Sequence, residues 1–580
     1  MATYPWTNLA SMFFGETRRL GDKPFLWAKS GGAYKSLSWN ETADKVSALA
    51  RSLKTQGVAP GDRVALVAEN RPEWLIADMA IMSIGAITVP AYTTNTTDDH
   101  AHVLGDSGSV GVIVSTSRLA ERLLPAAVQA PDVRFAVTME TTGKEPAENL
   151  GLFLWDDFLQ VDTGEDIAGL ANTWADDETA CIIYTSGTGG TPKGVMLSHR
   201  NLFHNIMGAR DALLEIGLEE EVFLSFLPLS HSYEHMAGQF FPVCIGAEIY
   251  YAEGIETLGA NMVEARPTIM TAVPRLYETM HQRISQGVRK SGGLKEKMFS
   301  GAVRLGRKKY ETEGRLGGIE RIQDRVLDKL VRDKVRARFG GRLKVLVSGG
   351  APLNPDIGMF FTALGLRLLQ GYGQTETAPL ISVNRPSGPK MHTVGPPVLD
   401  TEVKIAEDGE ILARGDLVMK GYWGNEDATR DVIRDGWVHT GDIGHFDERG
   451  HLLITDRKKD IIVNSGGDNI APQRIEGLLS MEPEIAQALV YGDKRAHLVA
   501  VIVPDDDWKR EQGRDDDMAK TLQPVIERVN AGQSNIEKIR RFIVADAPFS
   551  IDNGQLTPTM KVRRHVVNEV YGERLNALYR

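Results

Sequence analysis

Cysteine is scarce in this chain of 580 residues, which contains only Cys181 and Cys244, both within apolar surroundings. Two cysteines are too few for a disulfide framework, so we expect buried thiols and a reducing compartment. The sequence also lacks an uninterrupted apolar stretch of about 18 residues, and its first residues do not combine a basic segment with an apolar one. These absences predict a cytoplasmic protein without a transmembrane helix.

Several common catalytic motifs are absent as well. A Walker loop would place serine or threonine directly after Gly-Lys, but Lys193 precedes Gly194 and Val195, and the GxGxxG pattern fails because Pro192 occupies its last position. No Gly-x-Ser-x-Gly motif or Cys/His pairing indicates a covalent nucleophile. The two best-known nucleotide loops are therefore excluded.

A loop rich in glycine and hydroxyl groups nevertheless follows an apolar run at residues 184–195. Glycines let backbone N–H groups approach an anion, hydroxyls add donors, and Lys193 supplies a positive charge. The loop predicts a phosphate-binding site, and a flexible small-residue loop is the alternative that this stretch alone leaves open. Its candidate residues are Thr185, Ser186, Gly187, Thr188, Gly189, Gly190 and Lys193.

The order of apolar runs predicts an α/β fold. Residues 40–270 alternate amphipathic helical stretches with short strand-like runs, which is typical of parallel sheets flanked by helices, and residues 401–455 indicate a small antiparallel β element. We expect a large N-terminal domain over residues 1–456 and a small α+β C-terminal domain over residues 457–580. The strand-like runs include residues 63–68, 111–114, 181–184, 343–348 and 366–370.

Two glycine-containing motifs add candidate nucleotide ligands. At residues 371–376 a glycine-flanked turn ends in Glu376, a candidate Mg²⁺ ligand, because Mg²⁺ takes one or two carboxylates together with water and phosphate oxygens. Tyr372 can stack on a base, and the small residues at 348–352 leave room for a flat ring against the backbone. The candidate residues are Gly349, Gly350, Ala351, Pro352, Gly371, Tyr372, Gly373, Gln374, Thr375 and Glu376.

Three single residues further along the chain complete the set. Asp442, in Thr-Gly-Asp, can accept ribose hydroxyls, and the guanidinium of Arg457 can add a second ribose contact. Lys561 follows Leu-Thr-Pro-Thr-Met near the C-terminus, where a lysine is ordinarily solvated.

Taken in order along the chain, these motifs resemble the adenylate-forming (AMP-binding) superfamily. The resemblance covers nearly the whole chain and is closest to long-chain fatty acyl-CoA synthetases, as residues 228–235, residues 348–353 and the stretch before Lys561 indicate. Two positions depart from the usual family pattern: Gly189 replaces a threonine, and Met560 replaces a glycine.

The resemblance implies a two-step reaction. A long-chain fatty carboxylate attacks the α-phosphate of ATP with Mg²⁺ bound, and the thiol of coenzyme A then displaces AMP from the acyl-adenylate. It implies that Lys561 acts in adenylation and that the small C-terminal domain is mobile, with Lys459 at its hinge. Gly466 and Gly467 would face the pantetheine tunnel. The remaining implied roles are acyl-pocket positions at His231 and Tyr233.

The segment from residue 281 to residue 344 contains 19 Lys/Arg and 7 Asp/Glu, whereas the chain as a whole has a net charge of −11. Apolar residues recur in it near a helical period, which predicts an amphipathic helical insertion. It is either a solvated insertion or a surface that docks on anions, such as the inner membrane face or the phosphates of a ligand. Its apolar positions include Ile319, Ile322, Val326, Leu327, Leu330 and Val331.

Three other functions compete with acyl-CoA synthesis. His231, Glu234 and His235 spell HxxEH, in which two histidines one helical turn apart hold zinc beside a glutamate base, so a zinc peptidase is one alternative. A fatty acyl-AMP ligase that loads a carrier protein is a nearer one, and a nucleotide-binding regulator is the third. No nucleic-acid partner is expected, and the oligomeric state is left open.

Overall fold

The computed structural model describes residues 6–143, 149–185, 191–512, 518–557 and 561–580. Two eight-stranded sheets form the body of the N-terminal part, and each is parallel except at its edges. The predicted α/β class with parallel sheets flanked by helices is confirmed. Among the described residues, no helix is both long and apolar enough to cross a lipid bilayer.

The first sheet carries the glycine-rich segment. Its two antiparallel pairings both involve the strand Lys193–Ser198, and its central strands are buried on both faces, as in parallel sheets covered by helices. In spatial order its strands are Gly421–Tyr422, Lys193–Ser198, Thr179–Thr185, Ile87–Pro90, Arg63–Val67, Ser109–Val114, Phe135–Thr138 and Gly151–Leu154.

The second sheet has an antiparallel strand at each edge. In spatial order its strands are Leu380–Val383, Leu368–Gly373, Val345–Ser348, Ile269–Ala272, Val222–Ser225, Glu248–Tyr251, Pro24–Ser30 and Ala33–Ser38. The strand predicted at 366–370 is displaced toward the C-terminus, because pairing with Leu380–Val383 extends it through Tyr372 to Gly373. The turn therefore begins after Gly373.

The antiparallel element predicted at residues 401–455 is also present. Trp437–Phe446 is its central strand and pairs with three others. The five strands are Glu402–Ile405, Glu410–Arg414, Ile433–Arg434, Trp437–Phe446 and Leu452–Arg457.

Helices cover the sheets of the N-terminal part, and Pro72–Ser83 is buried nearly all round, which requires the apolar character it has on every face. Side-chain caps at Ser38, Thr96 and Ser198 begin three of the others. The helices are Leu9–Leu20, Trp39–Thr55, Pro72–Ser83, Thr97–Ser107, Ser117–Gln129, Trp155–Phe158, Ile167–Ala171, His199–Leu213, Ser232–Glu234, Phe241–Ile245, Leu258–Ala265, Pro274–Ser291, Gly293–Glu311, Gly318–Leu327, Asp333–Arg338, Pro355–Ala363 and Glu426–Val432. Short 3₁₀ segments lie at Leu214–Ile216 and Thr375–Thr377, and π-helical segments at His235–Phe240 and Asp328–Arg332.

The C-terminal part is an α+β unit with hydrophobic clusters of its own. Its middle strand Leu498–Pro504 is buried throughout, because helices pack on both faces of a three-stranded sheet. The strands are Ile462–Val463, Asn469–Ile470, Ile485–Tyr491, Leu498–Pro504 and Ile539–Val544, and the helices are Pro472–Leu479, Asp506–Gln512, Met518–Ala531 and Arg564–Ala577.

Both cysteines are buried free thiols, as the sequence predicts. Burial raises the pKa of the Cys244 thiol to about 12 and that of Cys181 well above its ordinary value. Both sulfurs are therefore protonated at neutral pH and unsuited to nucleophilic chemistry.

Candidate active site

The glycine-rich segment connects two antiparallel strands, Thr179–Thr185 and Lys193–Ser198, in a register that pairs Thr185 with Lys193. This hairpin differs from a Walker loop, which leads from a strand into a helix. The candidate residues Ser186, Gly187, Thr188, Gly189 and Gly190 lie outside the described residues.

Lys193 and Glu376 both contact the side chain of Tyr422. The Nζ of Lys193 lies 5.0 Å from the centroid of the Tyr422 ring, and the Tyr422 hydroxyl donates a 2.7 Å hydrogen bond to Oε1 of Glu376. Burial and the neighbouring Glu376 carboxylate raise the pKa of Tyr422, so it stays protonated and able to donate. The sequence did not identify Tyr422 as a site residue, because an aromatic residue next to Gly421 is not a specific signal of function.

Glu376 lies in the 3₁₀ turn Thr375–Thr377, directly after the strand Leu368–Gly373. Gly373 permits this turn, since a Cβ atom there would lie 1.7 Å from the carbonyl oxygen of Pro379. The Thr375 hydroxyl is 3.1 Å from the Ser232 hydroxyl, which ties the turn to the segment that contains His231 and Tyr233. Gln374 starts the turn, and its N–H donates to Thr377 Oγ1.

Asp442 is the centre of a second cluster. Its Oδ2 accepts a 2.7 Å hydrogen bond from the Tyr372 hydroxyl, and its Oδ1 accepts a 3.1 Å bond from Nε of Arg457. Burial by itself would lower the pKa of Arg457, but Asp442 and Asp460 raise it overall. Each carboxylate oxygen has two lone pairs, so Asp442 can still accept further hydroxyl donors.

The segment after the strand Val345–Ser348 is shaped by Tyr233. The Tyr233 hydroxyl donates to the carbonyl oxygen of Val347 at 2.9 Å, and a Cβ atom at Gly349 would lie 3.0 Å from the Tyr233 ring. Gly350 has a φ of +79°, a left-handed conformation that favours glycine. Gly350, Ala351 and Pro352 are exposed and so available to a flat ligand.

Lys561 extends from the C-terminal unit toward these groups of the N-terminal unit. Burial among the surrounding protein and the nearby positive charge of Arg457 lower its pKa to about 8, against the opposing effect of Asp442 and Glu376. The residue retains solvent-accessible surface, so it lies in a crowded but open cleft. Within the described part of the chain, Lys561 makes no ion pair closer than 4 Å, which leaves its ammonium group free to meet an anion.

His231 is a further neighbour of Lys561. Burial and the charge of Lys561 lower the pKa of His231 to about 3, so the imidazole is neutral at physiological pH. Its Nδ1 accepts a 3.1 Å hydrogen bond from the N–H of Tyr233 and thereby caps a helical turn.

The HxxEH pattern does not assemble a zinc site. Glu234 is fully buried and accepts hydrogen bonds from the Ser225 and Thr271 hydroxyls, at 2.7 and 2.6 Å, while Nε2 of His235 contacts Asp78 at 2.8 Å. Burial raises the pKa of Glu234 to about 7. Across the ranges that the structure describes, no cluster of three His, Cys, Asp or Glu side chains could hold a metal ion.

Three candidate positions lie on the surface of the C-terminal unit. Lys459 is exposed in the turn after Leu452–Arg457, and Gly466 and Gly467 lie in the turn between Ile462–Val463 and Asn469–Ile470. Within the residues that the structure describes, no hydrogen bond or ion pair joins them to Glu376 or Asp442. The structure thus does not bring these positions into the cluster around Lys561.

Side chains also connect the two units directly. The Asn354 amide lies 2.8 Å from the sulfur of Met481, and Nε2 of Gln282 donates to the carbonyl oxygen of Ser480 at 3.4 Å. Together with Lys561, these contacts define how the C-terminal unit sits on the N-terminal unit.

The chain matches two family models, AMP-binding enzyme over residues 13–423 and AMP-binding enzyme C-terminal domain over residues 459–580. Long-chain-fatty-acid--CoA ligase FadD15 of Mycobacterium bovis is 35% identical, over 99% of this chain and 97% of the relative. The peroxisomal long chain acyl-CoA synthetase 6 of Arabidopsis thaliana is 32% identical, over 95% of this chain and 82% of the relative.

Solved structures share the fold. The adenylation domain of a carboxylate reductase from Mycobacterium chelonae superposes with a TM-score of 0.78 and 23% identity, over all of this chain and 92% of the other. ATP-bound MatB from Rhodopseudomonas palustris superposes with a TM-score of 0.72 and 23% identity, over 97% and 99% of the two chains. Since the family models match most of the sequence and the relatives cover nearly all of it, this chain belongs to the AMP-binding enzyme family.

Proposed function

We propose that this protein joins a long-chain fatty acid to coenzyme A at the expense of ATP, through an acyl-adenylate. The observation that carries the proposal is the position of Lys561, which extends from the C-terminal unit toward Glu376 and Asp442 of the N-terminal unit and toward Arg457, the partner of Asp442. Relatives that align over nearly the whole chain are named as a long-chain-fatty-acid--CoA ligase and a long chain acyl-CoA synthetase, which supplies the substrate class.

In the first step, a carboxylate oxygen of the fatty acid attacks the α-phosphorus of ATP, and the bond from that phosphorus to the bridging oxygen breaks to release pyrophosphate. Two anions must approach each other, so positive charge aimed at both lowers the barrier. Lys561 supplies that charge from the C-terminal unit, and Lys193 supplies it from the strand that follows the glycine-rich segment.

The other candidate residues bind the nucleotide. Asp442 accepts the ribose hydroxyls and is oriented by Tyr372 and Arg457. The exposed residues Gly350, Ala351 and Pro352 give the adenine ring a flat surface beside Tyr372. The thirteen candidates with a binding role in this step are Thr185, Ser186, Gly187, Thr188, Gly189, Gly190, Gly349, Gly350, Ala351, Pro352, Gly371, Gly373 and Gln374.

Glu376 suits Mg²⁺. Tyr422 occupies one of its carboxylate oxygens, and the other has no hydrogen-bond partner among the described residues, which leaves a hard oxygen ligand for the ion. When bound, Mg²⁺ would neutralise charge on the ATP phosphates. Tyr422 holds the carboxylate in one orientation.

In the second step, the thiol sulfur of coenzyme A attacks the acyl carbonyl, and the carbon–oxygen bond to AMP breaks. We propose that the part of the chain after Lys459 turns about this residue between the steps and brings Gly466 and Gly467 to the pantetheine. His231 and Tyr233 line the acyl entrance. The imidazole of His231 is neutral and so adds no positive charge beside Lys561.

Mass spectrometry of reactions that contain ATP, Mg²⁺ and palmitate, with and without coenzyme A, tests the proposal. We expect AMP and palmitoyl-CoA when coenzyme A is present. Accumulation of palmitoyl-AMP that coenzyme A does not discharge would replace the proposal with a ligase that serves a carrier protein. Absence of AMP would refute fatty acid activation altogether.

A further inference from the structure

The basic insertion carries an exposed apolar face. On the helix Gly318–Leu327 and its π-helical continuation Asp328–Arg332, four aliphatic side chains are largely open to solvent. Ile319 is 75% exposed, Ile322 65%, Val326 50% and Leu330 45%. Their spacing of three, four and four residues puts them on one side of the helix, and we call them the outer stripe.

A row of basic residues runs alongside the outer stripe. Arg321, Arg325 and Lys329 each precede a stripe residue by one position and repeat every four residues, so they share the neighbouring face. All three are exposed, and none forms an ion pair within the ranges that the structure describes. Their charges are therefore available to a partner.

The acidic residues of the same helix and of its π-helical continuation form ion pairs with basic residues of the insertion. Glu320 pairs with Lys308 at 2.6 Å, Asp324 with Arg332 at 2.7 Å, and Asp328 with Arg336 at 2.9 Å. These carboxylates are thus neutralised within the insertion. The outward side of the helix presents aliphatic groups and unpaired positive charge.

Buried contacts hold this helix on the body of the protein. Arg332 is almost fully buried and donates to the carbonyl oxygens of Ala363 and Ala302, at 2.7 and 2.9 Å. Ala363 ends the helix Pro355–Ala363 that follows the exposed segment 350–352. The outer stripe is therefore a fixed surface of the folded enzyme.

We infer that the outer stripe and its basic row dock on an anionic lipid surface. An aliphatic row beside a basic row is the pattern of helices that lie in the membrane interface, where apolar side chains enter the acyl boundary and cations meet the lipid headgroups. A second copy of this chain is a poorer occupant, because a symmetric contact would bring two basic rows together. Docking would put the enzyme at the phase into which long-chain acids partition.

Sedimentation of the full-length enzyme with phosphatidylcholine vesicles, with and without phosphatidylglycerol, tests this inference at low and high salt. We expect binding only to the anionic vesicles, and weaker binding at high salt because ions screen the attraction. The variant R321Q/R325Q/K329Q should bind up to about a hundredfold more weakly, since each basic residue near an anionic surface contributes about fivefold.

The apolar contribution has its own variant and control. I319S/I322S/V326S should bind the anionic vesicles at least about tenfold more weakly, because three aliphatic groups no longer enter the acyl boundary. The control is L214S/I255S/V263S, which alters three exposed aliphatic residues elsewhere and should bind like the wild type. Acyl-adenylate formation from a short-chain acid in the absence of vesicles should be unchanged in all three variants, which shows that they fold.

Three results would overturn the inference. The first is equal binding of the wild type and I319S/I322S/V326S to anionic vesicles. The second is no binding of the wild type to such vesicles at low salt. The third is a concentration-dependent dimer of the wild type in light scattering that is lost in I319S/I322S/V326S. That result would assign the surface to a second copy of the chain.

Discussion

At the scale of single residues, Lys561 provides the sharpest test of the proposed mechanism. Replacing it with alanine removes the only positive charge that the C-terminal unit is proposed to bring to the reacting anions. We expect adenylation to fall at least about 10²-fold, in line with the loss of one preorganised electrostatic contact. Thioester formation from supplied acyl-AMP should change by less than about threefold. The two half-reactions can be measured separately with radiolabelled pyrophosphate exchange and with synthetic acyl-AMP.

Arginine at position 561 is the control for this substitution, because it keeps the charge and should recover part of the adenylation rate. Equal losses in both half-reactions for K561A would contradict the assigned role.

The lowered pKa of Lys561 also predicts a pH dependence. Its ammonium form is present below about pH 8 and is lost as the pH rises above that value. The kcat/KM for adenylation, which reports on the free enzyme, should therefore fall with rising pH on a limb with an apparent pKa near 8. In K561R the guanidinium stays charged, so that limb should disappear even though the rate is lower. A limb of unchanged position in K561R would assign it to another group.

Tyr422 is a positioning residue that the sequence did not single out. Y422F removes the 2.7 Å hydrogen bond to Glu376 but keeps the ring beneath Lys193. We expect the half-saturating Mg²⁺ concentration for adenylation to rise about tenfold or more, as when a hydrogen bond to a metal ligand is lost. Y310F serves as the control, since Tyr310 lies in the insertion and donates to the carbonyl oxygen of Pro389. An unchanged Mg²⁺ requirement would separate Tyr422 from the metal site.

At the scale of elements, the turn after the strand Leu452–Arg457 can test the proposed hinge. The N–H of Asp460 donates to the carbonyl oxygen of Arg457 at 2.9 Å, which makes Lys459 the third residue of a tight turn, a position that disfavours proline. K459P should therefore destabilise the arrangement that holds Lys561 in the cleft. We expect adenylation to fall about tenfold more than thioesterification of supplied acyl-AMP.

A proline in another turn controls for nonspecific damage. Glu448 is the second residue of a turn closed by the N–H of Gly450 and the carbonyl oxygen of Asp447 at 3.0 Å, a position that accepts proline. E448P should leave both half-reactions near wild type. A uniform loss in K459P, with the ratio of the two steps unchanged, would be evidence against a hinge there.

At the scale of the whole molecule, the contact between Asn354 and Met481 lets the two units be locked together. We expect N354C/M481C, crosslinked by a short bismaleimide, to form about one equivalent of acyl-AMP. Acyl-CoA formation should be at least about tenfold slower, because the unit that carries Lys561 can no longer turn away. The native cysteines are buried, so the reagent should spare them.

Each single-cysteine variant treated with the same reagent is the control for modification without crosslinking. Full turnover to acyl-CoA by the crosslinked enzyme would show that the second step needs no such movement.

The sequence by itself determined which chemical groups are available to bind a nucleotide. Residue types at short spacing, such as the glycines and hydroxyls at 184–195 and the carboxylate of Glu376, need no tertiary contact to be recognised as nucleotide ligands. Alternating periodicities likewise predicted the α/β class, because the choice between strand and helix depends mainly on local patterns. The resemblance to adenylate-forming enzymes came from the order of these motifs along the chain.

Only the tertiary structure decided which residues meet and which face solvent. Tyr422 reaches Glu376, 46 positions away, and Tyr372 reaches Asp442, 70 positions away, through strand pairings that no local pattern encodes. The helical period of the insertion could not say whether Ile319 and Ile322 were buried, because a helix on a surface and a helix in a core can share the same spacing. Packing decided this: the carboxylates of the helix pair with cations of the insertion, and the aliphatic side chains face solvent beside a basic row that forms no ion pair among the described residues.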